Sequence, residues 1–288
     1  MPIKNVVIIA ESTCCLPGQL VEKYKIRIMP LMINFAGKSY QDGVDITPGE
    51  VYQIMRKKEE LPTTSTLSPG DFLQAFEDAG RYTDSILCIT LTSLQSKTYE
   101  AALLARELAQ EKMADVEVEV FDSRSVSGAL GMIVLETARA ADSGLPLSGV
   151  IARAREIQEK VNFLAMVDTL YYLARTGRIG YAAHWFGALL QLKPILEHSP
   201  AVGITTPFAR PRTRAKAVEK MLQTMHERIG TKPVHVMVHH ADEVEECQRL
   251  KERIASEFDC REIYMTEFSP IMGVHAGPGV LAIAFYTD

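Results

Sequence analysis

Four short and almost continuous apolar runs in the first half of the chain alternate with stretches of helical spacing, and few architectures accept that pattern. The runs are Val6–Ala10, Ile26–Leu31, Ile86–Thr90 and Val116–Asp122. The helical stretches are Pro48–Lys58, Pro69–Ala79, Lys97–Ala114 and Ser127–Asp142. In the third of these, Ala101, Leu104, Ala105 and Leu108 recur at helix spacing. The fourth stops before Gly144, a natural residue just past a helix end, with Pro146 beyond it. A strand that is apolar without alternation is buried on both faces, so the pattern predicts an α/β unit over residues 1–155 with a parallel sheet covered by helices on both faces. A hairpin is expected over Ala36-Gly37-Lys38.

Residues 156–288 read as a second, mixed α/β unit. Six strands are expected at Asn162–Val167, Pro194–His198, Val202–Phe208, Val234–His240, Glu262–Phe268 and Val280–Tyr286. Ser199-Pro200 is too short for a parallel crossover, so the second and third of these should pair antiparallel. Helices are expected at Tyr171–Arg175, Ala182–Leu190, Arg214–Ile229 and Glu243–Glu257. Both units together predict two α/β domains, the second with a six-stranded mixed sheet.

Several classes drop out on composition. The 288 residues are 47% hydrophobic and 23% charged, which permits a sizeable core. With 31 basic against 36 acidic residues the net charge is −5, which argues against nucleic acid as a partner. The five cysteines form no CxxC pair, so a reduced, cytoplasmic chain is expected. No secretory signal opens the chain, and no apolar run approaches the roughly 20 residues of a membrane span.

Familiar catalytic signatures are missing. There is no GxSxG, HExxH or GxxxxGK[ST], and Gly37-Lys38-Ser39 has Met32 where a phosphate loop needs glycine. Gly277-Pro278-Gly279 leads into an apolar run rather than a helix, which excludes a dinucleotide loop. Neighbouring His239 and His240 point to opposite faces of a strand, so no metal site is expected there.

What remains is four hydroxyl-rich loops after strands, over residues 11–17, 62–69, 92–99 and 122–127. In a parallel sheet such loops gather at the carboxyl ends of the strands, where ligands bind. Hydroxyls and helix N-termini there favour an anion. Capping needs one hydroxyl per helix, as Ser68 before Pro69 would supply, yet loop 62–69 carries five. The second unit adds Arg175 and Arg178 around Gly177, and His275 before Gly277-Pro278-Gly279. Arg210, Arg212, Arg214 and Lys216 cluster at a helix start, where cations are locally unfavourable, and read as a docking surface for an acidic partner or a phosphate.

In their order and spacing these segments resemble the DegV family of bacterial fatty-acid-binding proteins. The resemblance runs through Glu11–Pro17, Tyr40-Gln41-Asp42-Gly43, Thr64–Ser68, Thr92–Tyr99, Asp122–Gly131, Tyr172–Ile179, Leu192–Leu196 and His275–Gly279. It implies a palmitate-like long-chain fatty acid, its carboxylate at the domain junction and its chain in an apolar tunnel, with no other cofactor. Thr64 and Ser96 are the implied carboxylate-binding hydroxyls, flanked by Ser65 and Ser93. His275 orders the same polar end and Arg178 stands at the tunnel mouth. The resemblance also implies a separate ATP-dependent fatty acid kinase as partner, docking on Arg210, Arg212 and Arg214.

This chain departs from the pattern at Glu11, Thr66, Leu67, Gln95 and Lys97. Lys97 either strengthens the anion site or points to solvent. An alternative of another class is a serine-dependent acyl hydrolase or transferase using Ser96 or Ser123 with His275, which requires a contact between nucleophile and base. A third, a domain like that of dihydroxyacetone kinases, lacks the phosphate loop and acidic metal cluster it would need.

Overall fold

The computed structural model describes residues 6–57, 60–186 and 192–288. The first half contains β1 (Val7–Glu11), α1 (Gly18–Lys23), β2 (Arg27–Met29), β3 (Met32–Phe35), β4 (Lys38–Gln41), α2 (Pro48–Lys57) and β5 (Thr63–Ser65). It continues with α3 (Pro69–Gly80), β6 (Ser85–Thr90), α4 (Thr98–Lys112), β7 (Glu117–Asp122), α5 (Ser127–Asp142) and α6 (Leu147–Lys160). The second half adds β8 (Asn162–Met166), α7 (Tyr171–Arg175), β9 (Ile195–His198), β10 (Thr205–Ala209) and α8 (Arg214–Ile229). It ends with β11 (Val234–His240), α9 (Val244–Glu257), β12 (Cys260–Glu267), α10 (Pro270–Ala276) and β13 (Leu281–Thr287).

Strands β2-β1-β6-β7 form the expected parallel sheet. Its two faces are set by the alternation of side chains along a strand. Ile9, Ile86 and Cys88 pack on Phe72 and Phe76 of α3 and Ala102 and Ala105 of α4. Ile8, Ala10, Leu87 and Ile89 face the other way, onto Leu130 and Ile133 of α5. Helices therefore cover both sides, as the unalternating strands require.

The six-stranded sheet runs β10-β9-β8-β13-β11-β12, and only β11 and β12 pair parallel. One face, with Leu164, Met166, Val236 and Ile283, packs on Met221, Met225, Leu250 and Ile254 of α8 and α9. The opposite face, with Phe163, Ala165, Met237 and Ala284, belongs to the same cluster as α5. Helix α5 is thus wedged between two sheets, and all but two of its 16 residues are buried. Its glycines make that possible. A Cβ at Gly128 would lie 2.1 Å from His239 Nε2, and one at Gly131 would lie 2.4 Å from Cys14 O. The glycines of Asp122–Gly131 therefore serve close packing.

Some elements differ from expectation. Helix α6 runs through residue 155, where the first unit was expected to end. Thr63–Ser65 was read as loop and instead pairs with β3, which also carries the expected hairpin to β4, giving a three-stranded antiparallel sheet. Strand β10 begins at Thr205 rather than Val202, so its antiparallel turn spans 199–204. The helix expected at Ala182–Leu190 is a 3-10 turn over Gly180–Trp185, and residues 187–190 lie outside the described residues. Among the described residues no helix is long and apolar enough to cross a membrane.

Candidate functional site

Three elements bring the polar side chains together. Strand β5 turns Thr64 inward, opposite Ile33, while its neighbour Ser65 faces outward. The loop after β6 carries Gln95, Ser96 and Lys97 into the start of α4. Helix α10 brings His275 from the far end of the chain. Its start repeats the signal seen before α3, with Ser269 as N-cap and Pro270 at the first position. That signal was in the sequence and marks a helix where only the loop after His275 was read.

These elements surround a cavity of about 210 Å³, lined by Thr13, Thr64, Ser65, Thr66, Gln95, Ser96, Lys97, Arg178, Thr205 and His275 among its polar residues. Its apolar wall includes Leu31, Leu91, Val126, Leu173, Ile271 and Met272. Val126, Leu173, Thr205 and Met272 also line a second cavity of about 60 Å³. That inner cavity is walled by Phe163, Ala165, Val167, Leu196, Phe268 and Ala276, with His198 at its edge. A polar chamber therefore adjoins an apolar one across shared side chains.

Hydrogen bonds in the polar chamber stop short of satisfying it. His275 Nε2 lies 3.1 Å from Thr64 Oγ1, and its Nδ1 is buried without a partner. Burial, helped by Arg178, pushes the imidazole pKa down to about 3, so the ring is neutral at physiological pH. In either tautomer a donor remains, because the Nδ1–H is free when Thr64 donates to Nε2, and the Thr64 hydroxyl is free when Nε2 donates. A second relay joins Thr66 Oγ1 to Thr98 Oγ1 at 2.9 Å and Thr98 Oγ1 to Ser96 Oγ at 2.8 Å. Three hydroxyls joined by two bonds leave one hydrogen for an outside acceptor. The Arg178 guanidinium donates to Thr176 O and has no acidic partner among the described residues. Unspent donors and an unneutralised cation make a chamber suited to an anion.

The remaining expected residues do not offer the chamber a free donor, and Ser93 does not line it. Ser93 is outside the chamber, because its hydroxyl donates to Asp122 Oδ2 at 2.6 Å. The Ser65 hydroxyl accepts from Asn34 Nδ2 at 3.2 Å on the outer side of the small sheet. Lys97 turns to Glu100 at 2.6 Å with its side chain exposed, so its charge is not aimed at the anion site. Gln95 spans the two halves, donating to Thr205 Oγ1 at 3.2 Å and to Arg178 O at 3.4 Å. Thr98 was not singled out from sequence, since a helix-start threonine reads as a cap.

The basic cluster divides. Arg214 is half-buried, bonded to Asp168 Oδ1 and Gly279 O at 2.7 Å each and to Glu246, so its charge is used inside the fold. The helix-start cost that made it look like a docking residue is met by those acids. Arg210 and Arg212 stay exposed, Arg210 stacking 5.1 Å from the Trp185 ring. Neither serine of the hydrolase alternative is bonded to His275, because Ser96 engages Thr98 and the Ser123 hydroxyl donates to Ser125 O.

Comparison with known proteins places the chain. The profile of the DegV family, described as uncharacterised proteins, matches residues 5–288. A DegV domain-containing protein of Clostridium acetobutylicum is 36% identical over 98% of both chains. The structure of a DegV-family protein from Thermus thermophilus, described for its fatty acid binding, superposes with a TM-score of 0.91 at 30% identity, covering 99% of this chain and 100% of that one. The fatty acid kinase B3 protein of Streptococcus pneumoniae, loaded with linoleic acid, shares the fold with a TM-score of 0.86 at 22% identity, covering 99% and 100%. With a profile match over nearly its whole length and a relative 36% identical over 98% of both chains, this chain is a member of the DegV family.

Proposed function

We propose that this protein binds a long-chain fatty acid, with the carboxylate in the polar chamber and the acyl chain in the adjoining apolar one. The observation that carries the reading is the neutral, half-satisfied His275–Thr64 pair facing an unpaired Arg178 at the entrance to an apolar cavity. Ser96 supplies the third donor through its relay with Thr98 and Thr66. Each buried CH₂ of the chain contributes about 0.8 kcal/mol, so release is slow. In this reading the protein is a carrier: neither Ser96 nor Ser123 contacts His275, and the hydroxyl that does, Thr64, serves as a carboxylate donor. Its five cysteines are unpaired, which suits a reducing cytoplasm.

Mass spectrometry of the purified protein, native and then denatured, tests this reading. A co-purified fatty acid in stoichiometric amount is expected. No lipid after organic extraction, with no uptake of added palmitate, contradicts it.

The carrier presents its fatty acid to a separate ATP-dependent kinase, which forms the acyl phosphate. Arg210 and Arg212, exposed and without acidic partners among the described residues, are the docking residues of this reading, and Arg214 is not. Reversing both to Glu leaves palmitate binding intact and slows acyl-phosphate formation, by a factor that shrinks as salt rises. Turnover equal to wild type at low salt removes them from the contact.

A further inference from the structure

The segment Tyr40-Gln41-Asp42-Gly43 has no part in the cavity, yet Asp42 is 3% exposed. A carboxylate is rarely buried that deeply without a partner. Its Oδ1 accepts from Ile271 N at 2.8 Å, across 229 residues of sequence, and its Oδ2 has no partner. The Asp42 backbone N–H is itself fixed to Leu31 O at 2.8 Å. Desolvation raises the Asp42 pKa from its ordinary value, against the opposing pull of the Ile271 N–H and of the Ser12 and Ser269 hydroxyls, and two of these three groups lie at the start of α10.

Ile271 lies one turn before His275 on the same side of α10, and both line the polar chamber. The helix has only seven residues, so anchoring one end fixes the other. Gly273 lets it press against Tyr52, since a Cβ there would come within 2.6 Å of the ring. Ser269 N donates to Cys15 Sγ at 3.4 Å, a weak bond that cannot set the helix alone. Among the described residues, Asp42 is the charged group that hydrogen-bonds α10 to the first half of the chain.

We infer that Asp42 is a positioning residue for the carboxylate site, fixing α10 so that His275 Nε2 meets Thr64. The inference rests on the fatty-acid reading for its consequence, and on geometry alone for the position of His275.

The test uses Asp42→Ala, which removes the acceptor, and Asp42→Asn, which keeps it. Two readouts are taken, the imidazole NMR signals of His275 in delipidated protein and the affinity for palmitate. Asp42→Ala should shift the His275 signals and weaken palmitate about tenfold. Asp42→Asn should restore both most of the way. Ile254→Ala, in the separate core under α9, lowers stability and serves as the control that leaves both readouts unchanged. Where Asp42→Ala does not fold, Asp42→Glu moves the same carboxylate by one methylene and should displace both readouts. Wild-type His275 signals and palmitate affinity in these variants overturn the inference. A wild-type protein that takes up no palmitate overturns the fatty-acid reading, while the His275 signals still decide the role of Asp42.

Discussion

Two polar clusters bridge the halves of this molecule, and they differ in one respect. Around Glu262, on the side of α5 away from the cavity, both oxygens of each carboxylate are engaged. Arg139 forks onto Glu262 at 2.7 and 2.6 Å and reaches Glu136 at 2.6 Å. Arg153 takes the other oxygen of Glu136 at 2.6 Å, while Tyr264 and His235 complete Glu262 at 2.7 and 2.8 Å. The arginine, the histidine and the tyrosine together hold the Glu262 carboxyl far below its usual range. Around His275 the reverse holds, with a bare ring nitrogen, spare hydroxyl hydrogens and an arginine that has no acid among the described residues. A structural network satisfies itself, whereas a binding site leaves donors for something that is not protein.

The same contrast settles the metal question for the first cluster. Glu136, His235 and Glu262 have ligand atoms close enough to hold an ion, but both carboxylates are already committed to arginines.

The comparison breaks most visibly if the two clusters respond alike to mutation. Arg139→Leu leaves Glu136 and Glu262 short of a partner and should cost about 3 kcal/mol of stability in urea unfolding, the low end for a half-buried pair. Its palmitate affinity should equal wild type. A matching loss of affinity would mean the network is part of the site.

A smaller effect is expected at the inner cavity. Ala165 lies on its wall, and Ala165→Leu fills space there. Palmitate should lose affinity relative to dodecanoate by about 0.8 kcal/mol for each CH₂ excluded. Equal losses for both chains would place the acyl tail elsewhere.

The smallest effect concerns Glu11, a buried carboxyl that belongs to neither type. It accepts from Leu91 N and no cation stands beside it among the described residues, so burial raises its pKa to about 8. The folded chain then holds this proton more tightly than the unfolded chain does. The contribution to stability is full below the ordinary value of 4.5 and is lost as pH rises toward 8. Glu11→Gln removes the dependence, so its melting temperature relative to wild type should be higher at pH 9 than at pH 5. An unchanged difference between the two pH values would show that Glu11 is not protonated in the fold.

The sheets were legible because unalternating apolar runs admit few answers, and β1, β6 and β7 stand where those runs predict. Helix α6 was missed although its signal is present: Leu147, Val150, Ala154 and Ile157 recur at helix spacing and form its buried face, among the charges of Arg153, Arg155, Glu156 and Glu159. The exchange of Thr63–Ser65 from loop to strand was not legible, since three residues have no period, and only pairing with β3 makes them a strand. At the site, Thr64, Ser96, His275 and Arg178 were reachable from loop composition and family resemblance. Ser93 and Arg214 misled for a shared reason. Sequence shows that a hydroxyl or cation is present, but not that Asp122 or Asp168 has already taken it.

The central claim is that Thr64, Ser96 and His275 hold a carboxylate. It is tested most directly by titrating delipidated wild type and the Thr64→Ala/Ser96→Ala double variant with palmitate and with hexadecanol, which has the same chain and no charge. Each hydrogen bond to a charged acceptor contributes about 1.5–3 kcal/mol, so the double variant should lose at least about a hundredfold in palmitate affinity and far less for hexadecanol. Equal affinity of the two proteins for palmitate, or equal losses for acid and alcohol, would contradict the account.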